Sequence, residues 1–335
     1  MTRKLNYSGY KKQMVVNLRN EIARRYTFRD WLISCKINRL IGQINADEAI
    51  SKVIDKGSPA LIGRLGGTEG RFIGEYLKMC RYEKFGLKIP ITASMNLRWK
   101  KRKKEVGFNA GFVPGGWKEI QDFVGLYEKC LTNTDVIGAW GTAFAWVESI
   151  AFTSTNSPAV IPISHSAPWV NPVNPKEQAT PWSMHLEGKK VLVIAGFAES
   201  IMRQHQLASR IFSSVPYPKF QLEVIKAPLS AGRDSVTANN WFENLRLMEK
   251  KMEEINFDIA LISAGAYSYP LALKAKELGK IGIHCGGGLQ LFFGIMGGRW
   301  DNDSDVLSKQ NEHWIRPSKN ETPENAKGVE GGCYW

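Results

Sequence analysis

Short uninterrupted apolar runs alternate with longer stretches whose apolar residues recur every three or four positions, from about residue 57 to residue 300. The short runs suit strands buried in a parallel sheet, and the longer period suits helices that lay one face on such a sheet. Residues 259–263 and 281–284 read as strands, and Leu271, Leu273 and Leu278 mark the helix between them, with Pro270 in its first turn. Further strands are predicted at 59–63, 135–140, 160–163, 190–195 and 222–226, and helices at 117–131, 142–152, after Gly196 through Arg210, and at 241–255. Before residue 57 the spacing is helical over 14–25, 31–44 and 46–54.

Strands alternating with helices predict an α/β fold: a mostly parallel sheet with helices on both faces, joined by right-handed crossovers. The expected organisation is a helical N-terminal extension over 1–56, an α/β half over 57–182, a second α/β half over 183–302 and a weakly ordered tail over 303–335. The Pro-, Asn- and Trp-rich stretch 166–183 reads as a long ordered loop or a boundary, which places the division near Trp182.

The strands at 259–263 and 281–284 run into Ala264-Gly265-Ala266 and Gly286-Gly287-Gly288, and the strand at 59–63 runs into Arg64-Leu65-Gly66-Gly67-Thr68-Glu69-Gly70. Glycine lets a backbone approach a phosphate closely, and the helix after such a bend turns free N–H groups and its positive dipole end toward it. Ligands of open α/β sheets bind beyond the carboxyl ends of the strands. The pattern therefore predicts an anion pocket with Gly66, Gly67, Gly265, Ala266, Tyr267, Gly286 and Gly287 on its walls.

Composition narrows the partners. Lys and Arg outnumber Asp and Glu by 45 to 32 in 335 residues, a net charge of +13, and the densest run is Arg98-Trp99-Lys100-Lys101-Arg102-Lys103-Lys104. This run suits an acidic membrane surface, a polyanionic glycan or nucleic acid, or is a solvated helix face. Without interleaved aromatics for base stacking, nucleic acid ranks last. The five cysteines are odd in number and never spaced as CxxC, against both a disulfide framework and a structural zinc. No apolar run approaches the roughly 20 residues of a membrane helix and the first residues carry no apolar signal region, so a cytoplasmic location is expected. GxSxG, GxxxxGK[ST], HExxH and a complete GxGxxG are all missing, which removes support for hydrolase, P-loop and zinc-protease chemistry.

Several residues carry two readings. Arg64 and Glu69 could clamp a diphosphate and ligate a cation that bridges it, or form an ordinary ion pair. Glu199 is either a helix-dipole partner or a base in the cleft. His284 closes a strand at the cleft mouth, as a hydrogen-bonding group for phosphate or sugar or as a core histidine. Gln290 is a candidate for the same cleft, whereas Leu289, Leu291, Phe292 and Phe293 read as core. Asn239, Asn240 and Trp241 suit either a base or the start of a helix. His165 and His205 read as structural.

The segments IGRLGGTEG at 62–70, PWSMHLEGKKVLVIAGFAESI at 181–201 and FDIALISAGAYSYPLALKAKELGKIGIHCGGGLQLFFGIMGGRW at 257–300 resemble the GT-D-type glycosyltransferase-like proteins of bacterial surface-polysaccharide and glycoprotein glycosylation loci. Across roughly 55–302 the resemblance implies a Rossmann-like domain, a nucleotide-diphosphate sugar as donor and a divalent cation, Mn²⁺ or Mg²⁺. The family motif is R-[FL]-G-D-x-E. This chain keeps Arg64 and Glu69 and has Gly67 in place of the aspartate, which leaves one carboxylate for the metal. Carried over by position, Glu69 is the metal or ribose ligand, Arg64 supports the loop or the phosphates, and Gly265, Gly286 and Gly287 line the nucleotide cleft.

The expected activity is sugar transfer to a hydroxyl of a glycan or lipid-linked acceptor, with Glu69, Glu199 and His284 as catalytic candidates. Residues 98–104 are the expected peripheral contact with acidic membrane. The alternative is a non-catalytic nucleotide-sugar- or glycan-binding accessory protein, and a third reading is another transferase on the same architecture.

Overall fold

The computed structural model describes residues 28–84, 93–141, 144–152, 155–168, 180–212, 217–232 and 240–335. The helix expected at 14–25, Asn239 and most of the stretch 166–183 lie outside them. The elements are α1 (Phe28–Leu40), α2 (Ala46–Lys56), β1 (Ala60–Arg64), α3 (Gly67–Lys84), α4 (Ala93–Ala110), α5 (Trp117–Thr132), β2 (Val136–Ala139), α6 (Ala145–Glu148), β3 (Ala159–Pro162), β4 (Lys190–Ala195), α7 (Ala198–His205), α8 (Ala208–Ile211), β5 (Gln221–Lys226), α9 (Trp241–Glu254), β6 (Ile259–Ser263), α10 (Ser268–Glu277), β7 (Ile281–His284) and α11 (Ser304–Leu307).

The strands form one sheet in the order β3-β2-β1-β7-β6-β4-β5, and every pairing is parallel. β7 pairs with both β1 and β6, so the two expected halves share a continuous Rossmann-like sheet. β4 leads outward to β5 and β6 leads the opposite way to β7, which puts a reversal of winding between β4 and β6.

Period-two alternation sends neighbouring strand residues to opposite layers. Leu61, Ile137, Leu192, Ala260 and Ile262 pack with Phe72 of α3, Phe123 and Tyr127 of α5, Trp241 of α9 and Leu271 of α10. Ile62, Val136, Val193, Leu261 and Ile283 pack on the other side with Ile50 and Ile54 of α2, Ile201 of α7, Trp182, Phe292 and Phe293. Helix ends follow their local chemistry. Asn45 accepts the Glu48 amide at the start of α2 and Gly57 ends it with φ +64°. Asn240 and Glu243 cap α9 reciprocally. Of the two readings of Asn240, the structure therefore supports the helix start.

Two expectations need correction. The helix predicted over 142–152 is, among described residues, only α6 followed by a 3₁₀ turn at Ser149–Ala151. The tail is folded, not weakly ordered. Val306, Ala326, Val329 and Cys333 are buried, Ile315 bridges Ile295, and the amides of Gly298 and Arg299 donate to the carbonyls of Trp335 and Cys333 at 3.0 Å each. Turns and single aromatic anchors hold this segment, so it carries no periodic signature. Among the described residues no helix is long and apolar enough to cross a membrane.

Candidate functional site

Beyond the carboxyl ends of β1, β7, β6, β4 and β5 lies a cleft of about 410 Å³. The glycine bends converge there as expected: Arg64, Gly66, Gly67, Glu69, Gly265, Tyr267, His284, Gly286 and Gly287 all line it.

Arg64 leaves β1 into this space. It is half-buried, and loss of solvent around it pushes its guanidinium pKa down. One Nη1 donates to the Ile163 carbonyl at 3.1 Å, while the buried Nε has no partner. A Cβ on Gly286, whose φ is +63°, would lie 3.0 Å from the Arg64 guanidinium carbon, so this glycine is what lets the arginine cross β7 into the cleft. Thr68, in the first turn of α3, also lines the cleft with a buried hydroxyl that lacks a partner. Two orphaned polar groups beside the N-terminus of an 18-residue helix leave an anion-shaped demand on the chain.

Glu69 folds back over Gly66, where any Cβ would collide with the carboxylate. Burial raises its pKa and Glu330 adds to the rise, whereas its own amide, Arg64 and Arg71 oppose it. Arg71, one turn into α3, lines the cleft and lies over the Phe144 ring at 6.0 Å.

His284 Nδ1 sits 2.9 Å from the Arg64 carbonyl. A carbonyl only accepts, which fixes the Nδ1–H tautomer and leaves Nε2 as acceptor. Burial, then repulsion from Arg64, push its pKa down to about 3, so the ring is neutral at physiological pH.

Other expected residues sit elsewhere. The Glu199 carboxylate pairs with Lys226 at 2.8 Å on the surface, outside the residues that line the cleft. The start of α7 is capped by Glu321, which accepts from the amides of Glu199 and Ser200 and from the Ser200 hydroxyl. Burial alone would raise the pKa of Glu321, but hydrogen bonds from Ser200 and Ser318 hold it below the usual range. Gln290 is buried behind the cleft and donates to the carbonyls of Ile295 and Tyr334 at 3.3 Å each. Ala266 is fully buried, its carbonyl accepting from Tyr127 at 2.8 Å. Trp241 stacks on Tyr267 at 4.9 Å within the core. His205 packs on Phe220 at 4.7 Å, and neither it nor His165 lines the cleft.

The expected divalent cation meets an ill-suited donor set. Among the described residues no group of three His, Cys, Asp or Glu side chains is placed to hold a metal, and Glu69 is flanked electrostatically by Arg64 and Arg71. Of the described cleft residues expected to act, Glu69 alone offers a carboxylate to a cation.

Arg71, Arg299, Glu330 and Tyr334 also line the cleft, and sequence reasoning missed all four. The signals were faint: Gly297-Gly298-Arg299 sets an arginine beside a glycine pair, and Glu330-Gly331-Gly332 marks a tight bend. The chain matches no protein-family model, no curated protein and no solved structure with which it was compared.

Proposed function

We propose that the chain is a glycosyltransferase that moves a sugar from a nucleotide-diphosphate sugar to a hydroxyl of a glycan or lipid-linked acceptor. The observation that carries the reading is the buried, unpartnered Nε of half-buried Arg64 beside the unpartnered hydroxyl of Thr68, both on the cleft wall. A half-buried guanidinium whose Nε lacks a partner is unfavourable unless an anion completes it. Arg71 and Arg299 add two more cationic groups on the same walls. A diphosphate meets that demand in charge and in hydrogen-bond acceptors.

In the transfer, the bond between the anomeric carbon and the diphosphate oxygen breaks and a bond to the acceptor oxygen forms. The negative charge that develops on the departing diphosphate is stabilised by Arg64, Arg71, Arg299 and the N-terminus of α3. The acceptor proton goes to Glu69, whose raised pKa makes it the stronger base of the cleft residues that were expected to act. His284, held neutral, keeps the β1 end in place through the Arg64 carbonyl. The arginines supply the positive charge for which a metal was expected.

The same proposal extends to peripheral binding at acidic membrane. Lys100, Lys101 and Lys104 are exposed on α4 beside Leu97, which is 68% exposed, and the far end of this helix, Asn109 and Ala110, lines the cleft. A lipid-linked acceptor held at such a surface would meet the active site directly.

The test is a screen of UDP, GDP and dTDP sugars for nucleotide release and transfer, with E69Q as control. Turnover that E69Q lowers by roughly 10²–10⁴ supports the reading. Donor binding without transfer or hydrolysis by the unmodified chain makes it a binding protein instead.

A further inference from the structure

Arg299 enters the cleft from the segment after β7, and its charge is already answered from within the chain. Nη2 donates to Glu330 Oε2 at 3.0 Å and contacts Cys333 Sγ at 3.2 Å, and the guanidinium lies 5.0 Å from the Tyr334 ring centre. Glu330 is the only described non-glycine residue with positive φ, +47°, and Gly331 and Gly332 follow at +74° and +81°. Three successive left-handed residues turn the tail so that the Glu330 carboxylate and the Tyr334 ring both face the cleft. A Cβ on Gly287 would lie 2.6 Å from that ring. The tail thus covers two elements of an anion site, a guanidinium and a glycine bend.

We propose that the Glu330 carboxylate stands on Arg299 where a ligand phosphate binds, and that an incoming nucleoside diphosphate replaces it there and moves Tyr334 off Gly287. This rests on the diphosphate reading of the cleft. Exposure separates Glu330 from the other tail carboxylate that acts at a strand end. Glu321, with no exposed surface, is a permanent cap of α7. The Arg299 and Glu330 side chains are 42% and 35% exposed, and a pair so open to water holds weakly. A diphosphate brings more charge and more acceptor oxygens than one carboxylate. Glu330 also disfavours the charged form of Glu69, so its departure makes room for a second anion in the cleft. The ligand-free protein is spared three uncompensated arginines around one pocket, at the expense of some affinity.

Calorimetric titration with inorganic pyrophosphate tests this on the full chain, with E330Q and R299Q. E330Q should bind about two- to fivefold more tightly, as loss of a weak competing pair implies, and R299Q about tenfold more weakly. In parallel, amides 330–335 of the unmodified chain should exchange hydrogen faster when pyrophosphate is bound. Binding by the unmodified chain with E330Q no tighter, or with exchange at 330–335 unchanged, overturns the replacement. Failure of every form to bind pyrophosphate overturns the diphosphate reading itself. If E330Q does not fold, the exchange measurement on the unmodified chain decides alone.

Discussion

Arg64→Met separates a residue kept for a ligand from one kept for the fold. The arginine is half-buried, and among the described residues no carboxylate lies within ion-pair distance of it and its hydrogen bond goes to the Ile163 carbonyl. That carbonyl also accepts from the Ser166 hydroxyl at 3.2 Å, so the substitution does not orphan it. Methionine fills similar space and removes the cost of keeping a cation out of water. Replacing a poorly compensated buried charge by a packed apolar side chain is neutral to stabilising, here by about 0–2 kcal/mol. Binding moves the other way. Loss of one charge-assisted hydrogen bond from Nε costs about 1.5–3 kcal/mol, or roughly 10- to 150-fold in Kd for pyrophosphate. Urea unfolding and calorimetry on the same preparation read both quantities. A variant that unfolds more than about 1 kcal/mol earlier while binding pyrophosphate as before would show that Arg64 serves the fold, and the cleft reading would lose its main support.

The other expectations are brief. Glu148 is buried, one oxygen accepting from the Trp140 amide and the other without a partner, and burial pushes its pKa up to about 7. The folded state therefore binds this proton more tightly than the unfolded state, so stability falls as pH rises from about 4.5 to 7, by about 3 kcal/mol. E148Q should flatten that slope in urea midpoints taken across pH, and an unchanged slope would refute it. His284 should show the neutral Nδ1–H tautomer by ¹⁵N NMR from pH 5 to 8, and protonation near 6.5 would contradict its burial beside Arg64. Gly63→Ala drives a methyl into the Tyr269 ring, whose hydroxyl is held by Thr134 at 2.6 Å; a loss of about 1–3 kcal/mol is expected in urea. Chelation with EDTA should leave pyrophosphate affinity unchanged within about twofold, and a larger loss would return the metal to the site.

The strands were legible because a buried parallel strand writes itself as an apolar run: 259–263, 281–284 and 190–195 appear in the structure with those same bounds. The glycine bends were legible too, although their reasons differ from one another. Gly286 admits Arg64, Gly66 yields to the Glu69 carboxylate and Gly287 lies under Tyr334, so each answers a particular side chain as well as a ligand. Glu199 stands in the first turn of α7, as the helix-dipole reading expects, but not on the cleft wall, and the hydrogen-bonding cap arrives from Glu321, 122 residues away. No local pattern announces such a partner. The tail was opaque for the same reason: its fixed points are single residues, Glu321, Glu330, Tyr334 and Trp335, and its backbone follows no repeat.

Two arginines on one cleft show how affinity and stability were divided. Arg64 is committed: half-buried, with an unpartnered Nε and, among the described residues, no carboxylate in ion-pair reach, it should cost the empty protein some stability and favour an anion by the same interaction. Arg299 is half-exposed and paired with Glu330, so it costs the empty protein little and yields its partner on demand. Had both been built like Arg64, the empty cleft would hold two repelling cations without carboxylate partners. Had both been built like Arg299, each would pair internally and a released diphosphate would leave little unsatisfied behind it. On the proposed reading, one fixed and one exchangeable cation would let the same cleft draw an anion in and close over itself once that anion leaves. That division requires R64M and E330Q to change pyrophosphate affinity in opposite directions, and, because Arg64 and Arg299 interact electrostatically and share the ligand, their double variant to depart from the sum of the two effects.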